Sequence, residues 1–181
     1  MLPNVKINIG QYYASQDPLL ISTTLGSCVS VCLYDPNSKI GGMNHILYTG
    51  KSRTSGDLSG LYGNNAMELL INEMVGLGAK RKLLIAKVFG GANILGFSEQ
   101  FQQGIRNVEF VLNFLATNDI EVVAKNTGGR FARKLFFQTN TNEVLLKKTT
   151  AKMQSHLAVE TGEAALRVKS ISNKSREITL F

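Results

Sequence analysis

The chain is short of cysteine, of membrane-length apolar runs and of phosphate-binding glycine motifs, and each shortage removes a class of protein. Only two cysteines occur in 181 residues, Cys28 and Cys32. Both fall in one β-type run, where four rises of ~3.3 Å set their Cα atoms beyond the ~7 Å that a disulfide spans. That excludes a disulfide scaffold, and free thiols are expected. No stretch approaches the ~20 apolar residues that cross a bilayer. The amino terminus, Met1-Leu2-Pro3-Asn4-Val5-Lys6, has no long apolar segment before a small-residue cleavage site. A cytoplasmic protein that is not membrane-embedded is expected. The glycine pairs Gly41-Gly42, Gly90-Gly91 and Gly128-Gly129 do not continue into G-x-x-x-x-G-K-[ST] or G-x-G-x-x-G. They therefore read as turns needing positive φ rather than as nucleotide cradles.

What is present points to one folded domain with a tail. Hydrophobic residues make up 44% of the chain and mean hydropathy is +0.01, which excludes a disordered polymer. A chain of this length buries roughly two thirds of its unfolded surface and needs no metal to fold. The net charge of +7 suggests nucleic acid until it is partitioned. Residues 147–181 hold seven basic and three acidic side chains, a net +4 that leaves +3 for the body. With no RNP-type aromatic cluster, zinc-finger spacing or basic heptad region, the excess reads as a solvated tail, and no nucleic-acid partner is expected.

Periodicity gives the elements. Val5 to Ile9 alternates, Leu19 to Thr24 is β-branched, and Val29-Val31-Leu33 sets one strand face against Ser30-Cys32-Tyr34. Asp35-Pro36-Asn37 turns the chain into a returning strand, Ile40 to Tyr48, followed by a polar loop over 50–56. Tyr62, Ala66, Leu69, Leu70, Met74 and Leu77 mark a helix ended by Gly76 and Gly78; Ile105, Val108, Val111, Leu112 and Leu115 mark a second. Strands are expected at 83–89, 120–124, 131–138 and 143–147. Many strands and two helices without strict alternation define an α+β fold. A domain over 1–148 and a basic tail over 149–181, with room for one short helix, complete the expectation.

Chemistry concentrates near the amino terminus. His45, one of two histidines, lies across the hairpin from Cys28. A thiol attacks as thiolate, and an imidazole can take its proton once a third group fixes the ring. Gly26, before Ser27 and Cys28, would let amides turn toward a developing oxyanion. The alternatives stay open: buried cysteine is often a small hydrophobe. Zinc is disfavoured because Cys28, Cys32, His45 and His156 lack a C-x2-C knuckle and their sulfurs are spread along a strand.

The run Thr24-Leu25-Gly26-Ser27-Cys28-Val29-Ser30-Val31-Cys32-Leu33-Tyr34-Asp35, then Gly41-Gly42-Met43-Asn44-His45, resembles the CheD family of bacterial chemoreceptor glutamine deamidases. Val88-Phe89-Gly90-Gly91-Ala92-Asn93, Arg106-Asn107-Val108-Glu109-Phe110-Val111 and Gly128-Gly129 with Arg133-Lys134 extend the resemblance over about residues 5–148. It implies a thiol hydrolase that converts receptor glutamines to glutamate and releases ammonia, with no cofactor and no metal. Cys28 takes the place of the nucleophile and His45 that of the histidine. The family's threonine, six positions before the cysteine, is Ser22 here. Serine keeps a hydroxyl acceptor but loses the methyl that stiffens χ1; Thr24, on the same strand face, is the fallback. Backbone amides near Gly26, Ser27 and Cys28 are the implied oxyanion donors. The resemblance also implies packed mixed β-sheets flanked by helices, like the catalytic domain of cytotoxic necrotizing factor, and partners in receptor cytoplasmic helices and a CheC phosphatase. An adaptor that binds receptor or CheC with little or no catalysis is the alternative.

Overall fold

The computed structural model describes residues 2–47, 63–94, 98–149 and 178–181. Three layers stack: an outer sheet, a central sheet and a pair of helices. The strands are β1 (Asn4–Lys6), β2 (Tyr12–Ser15), β3 (Leu20–Leu25), β4 (Val29–Asp35), β5 (Ile40–Asn44), β6 (Ile85–Gly90), β7 (Glu121–Thr127), β8 (Ala132–Gln138), β9 (Val144–Thr149) and β10 (Ile178–Leu180). The helices are α1 (Gly63–Gly76) and α2 (Ser98–Thr117). The outer sheet runs β1-β3-β8-β9-β10 and the central sheet β2-β5-β4-β6-β7. Both are mixed, because β1 lies parallel to β3 and β6 parallel to β7. Parallel neighbours need a crossover, which α2 supplies between β6 and β7. The α+β expectation is met.

The middle layer explains the character of β4. All seven of its residues are buried, as a strand covered on both faces must be. Val29, Val31 and Leu33 face α1 and α2 alongside Ile40, Ile46, Leu70, Ile71 and Met74. Cys28 and Cys32 belong instead to the core between the sheets, with Ile21, Leu25, Met43, Phe89, Leu135 and Phe137. Each fully buried aliphatic or aromatic side chain contributes ~1.5–3 kcal/mol, and together they bind the layers.

The structure changes several expectations. The β2 strand, with Tyr12 and Tyr13 leading into Ala14 and Ser15, is too short and mixed to show a period. Gly41 and Gly42 form no turn; they lie within β5, where a side chain on Gly41 would meet the Thr139 backbone and one on Gly42 would meet Leu70. Gly90, Gly91, Gly128 and Gly129 do have positive φ. The carboxy-terminal residues are not all tail, since β10 pairs antiparallel with β9 and Phe181 sets its ring 5.5 Å from that of Phe89. The expected loop over 50–56 and the short helix after 149 lie outside the described residues.

Candidate active site

The site begins with strand alternation in β3. Ile21, Thr23 and Leu25 share the face that packs on the central sheet, and Ile21 and Leu25 are core residues there. Ser22 and Thr24 therefore point the other way. Neither is the hydroxyl that meets the imidazole: Thr23 Oγ1 lies 2.8 Å from His45 Nδ1. The flanking Ile21 and Leu25 were the signal in the sequence, because they put the residue between them on the buried face.

His45 arrives from the opposite sheet. The central pairing runs to Cys32↔Met43 and resumes only at the single bridge Val29↔Ile46. Between them Asn44 replaces backbone partners with its side chain, its Oδ1 accepting from Val31 N while Ser30 Oγ donates to Asn44 O. The His45 main chain is held from the other side, its N–H donating to Gln11 O and its carbonyl accepting from Gly10 N. His45 shares a strand face with Met43 and so projects toward the outer sheet. Continuing the register sets Ser30 opposite His45 and Cys28 diagonal to it, a relation of ~7–8 Å between backbones.

The hydroxyl decides the tautomer. Thr23 has one hydroxyl hydrogen, and Ile7 O, 2.9 Å away, can only accept it. The Thr23 oxygen must then accept from Nδ1–H, which leaves the lone pair on Nε2. That atom is buried and has no hydrogen-bond partner among the described residues. A buried polar atom without a partner is costly, and here it is the atom a base would use.

Burial sets the charges. His45 is 4% exposed and Cys28 7% exposed. Burial lowers the imidazole to about 4. Burial pushes the Cys28 thiol up to about 11, against its own backbone N–H, which points at the sulfur and pulls the other way. The pair at rest is thus neutral thiol and neutral imidazole rather than an ion pair. Cys32 is a free buried thiol that burial also pushes up, as fits a packing residue.

The loop carrying Cys28 is pinned by its carbonyls. Gly26 O accepts from Ala92 N at 2.9 Å and Cys28 O from Gly91 N at 2.8 Å. Gly90 permits this approach, since with φ +114° it brings its backbone where a side chain would strike Cys28 O. Gly26 itself has no positive φ; a side chain there would meet Ile94. Among the described residues, no three His, Cys, Asp or Glu side chains group as a metal site, and no helix is long and apolar enough to cross a membrane.

A thiol, an imidazole with a free Nε2 and a hydroxyl that fixes its tautomer, buried between two sheets, have the parts of a thiol-hydrolase site. The chain belongs to the CheD family: the family model described as CheD chemotactic sensory transduction matches residues 48–148. It is 43% identical over 180 residues to a "Probable chemoreceptor glutamine deamidase CheD 1" of Shewanella oneidensis, covering 98% of this chain and 87% of the relative. It is 38% identical over 186 residues to a "Probable chemoreceptor glutamine deamidase CheD" of Vibrio vulnificus, covering 98% and 86%. The family-model match begins after His45, but these two alignments span nearly the whole chain.

Proposed function

We propose that this protein is a chemoreceptor glutamine deamidase in which Cys28 is the nucleophile, His45 the acid–base group and Thr23 the residue that orients it. The observation that carries the reading is the Thr23–His45 bond, which leaves the Nε2 lone pair free in a buried position between the sheets, where Cys28 also belongs to the core. The names of the relatives supply the substrate class.

The steps follow from those atoms. His45 Nε2 takes the Cys28 proton as sulfur attacks the carboxamide carbon of a receptor glutamine. The oxyanion forms beside the Cys28 N–H, where an amide donor stabilises it. His45 returns its proton to the departing nitrogen, ammonia leaves and a thioester remains. Water, deprotonated at Nε2, attacks the thioester; glutamate is released and the thiol restored. Because both groups are neutral at rest, attack and proton transfer belong to one step. In this reading the protein works on receptor cytoplasmic helices, and a CheC phosphatase is a partner to be sought by pull-down.

Purified protein incubated with a receptor cytoplasmic fragment is expected to give the mass change of Gln→Glu conversion, and Cys28→Ala to abolish it with the fold retained. An unchanged rate in Cys28→Ala would remove the nucleophile assignment. Loss of receptor modification with pull-down of receptor and CheC intact separates the enzyme from an adaptor.

A further inference from the structure

Asn107 lies on α2, on the helix face that packs against the central sheet. Its neighbours on that helix face are Gly104, Val111 and Leu115, all buried, and Asn107 is itself 0% exposed. A fully buried carboxamide must find partners, and those it finds are unusual in their placement. Its Nδ2 donates to Ser27 O and to Leu47 O, each at 3.1 Å. Its Oδ1 accepts from Gln103 Nε2 at 2.8 Å, one turn earlier on the same helix. One amino group therefore bridges the residue before Cys28 and the residue two after His45.

The bridge sits where β-pairing has run out. Val29 and Ile46 still exchange both backbone bonds, at 3.1 and 2.8 Å. One step further the strands carrying Cys28 and Leu47 separate, and Asn107 takes up the carbonyls of Ser27 and Leu47. A trans peptide is planar, with its C=O and N–H pointing to opposite sides. Holding Ser27 C=O against α2 thus turns the Cys28 N–H away from α2. The side away from α2 is the inter-sheet side, where Cys28 belongs to the core and where an oxyanion would form.

We propose that Asn107 is a positioning residue for the reaction: its amino group fixes the Ser27–Cys28 peptide, and with it the oxyanion donor, in register with the strand that carries His45. The inference rests on Cys28 and His45 being the reacting pair. Asn107 touches no reacting atom and acts through the backbone it holds. Gln103 is its support, fixing the amide so that nitrogen rather than oxygen meets the two carbonyls.

The test uses the whole chain and a receptor cytoplasmic fragment, with kcat and KM taken per folded molecule. Asn107→Ala is expected to lower kcat about 10²-fold, the scale of a misplaced reacting group or a lost oxyanion donor. KM is expected to change little, since the glutamine is still bound. Asn107→Gln keeps both donors on a longer arm and is expected to retain more of kcat. Leu115→Ala, a fully buried apolar truncation on the same helix, is expected to lower stability and leave kcat unchanged. Should Asn107→Ala fail to fold, the kcat-to-KM split in Asn107→Gln is read in its place. A wild-type kcat in Asn107→Ala, or an equal kcat loss in Leu115→Ala, overturns the proposal while Cys28→Ala remains dead. Activity in Cys28→Ala would instead overturn the assignment of the site.

Discussion

Toward the helices, the central sheet presents Val29, Val31, Leu33, Ile40, Ile46, Ala86 and Val88; toward the outer sheet the same strands present Cys28, Cys32, Met43, His45, Lys87 and Phe89. One set of strands thus builds two cores with different tasks. Among the described residues, the helix face is apolar apart from Asn44, Asn107 and, at the far end of β4, Asp35, all of which satisfy backbone groups. The inter-sheet face is apolar in the middle and polar toward its ends. At one end Thr23 of the outer sheet bonds His45 of the central sheet. At the other, Tyr34 Oη and Lys87 Nζ donate to Asn140 O and Asn142 O in the β8–β9 turn. The candidate site lies on the face where two sheets, not a sheet and helices, close over it.

Substitutions should separate these faces. The largest effect is expected from His45→Gln, which removes the acid–base group and should lower kcat by about 10³-fold, within the range general acid–base catalysis supplies. Thermal unfolding at pH 7.5 should hardly change, because the buried imidazole there is neutral. On the helix face, Leu70→Ala should do the reverse. Leu70 is fully buried between α1 and β5, so truncation should cost ~3 kcal/mol in denaturant unfolding, with kcat per folded molecule preserved. Parallel losses of activity and stability in both variants would mean that the faces are not functionally distinct.

Acid sharpens the same contrast without mutation. The native pKa of His45, about 4, lies below its ordinary 6.5. Between those values the unfolded chain binds a proton that the native chain does not, so stability falls as pH drops from 6.5 to 4. Below 4 both states bind it and this loss stops. The window amounts to about 3 kcal/mol. Unfolding free energies taken across it should show this slope in the wild type and in Leu70→Ala, and lack it in His45→Gln.

The two faces also differ in how far the sequence discloses them. The helix face is written as periodicity: Ala66, Leu70 and Met74 on α1, and Val29, Val31 and Leu33 on β4, repeat at the spacings their elements require. The candidate site depends on contacts between distant segments. That Cys28 and His45 fall on neighbouring segments of one sheet is legible, because the hairpin joining them is local. Family spacing points to Ser22, whereas strand alternation puts Ser22 on the far face and Thr23 against the imidazole. Asn107 stands in the sequence only as one residue of the run 106–111; its two carbonyl partners appear once α2 is laid across the ends of β4 and β5. The β10 strand could not be read at all, since three residues carry no period and its partner, β9, lies about thirty residues earlier in the chain.

The smallest expected effect is the most discriminating for the site itself. Thr23→Val keeps the shape and the branched Cβ of threonine but removes both the acceptor for Nδ1–H and the donor to Ile7 O. Without the acceptor the imidazole loses its preference for the tautomer with a free Nε2, and kcat should fall about tenfold, the worth of one well-made hydrogen bond expressed as a rate. Ser22→Ala alters a hydroxyl on the opposite face of β3 and should leave kcat within about twofold, as substitutions away from the reacting groups do. Measured side by side on the same receptor fragment, the pair tests one residue of register. Serine-sensitive, threonine-insensitive rates would restore Ser22 as the third member and require β3 to present its other face to His45. The reverse pattern fixes the orienting hydroxyl at Thr23, held in place by the Ile7 carbonyl.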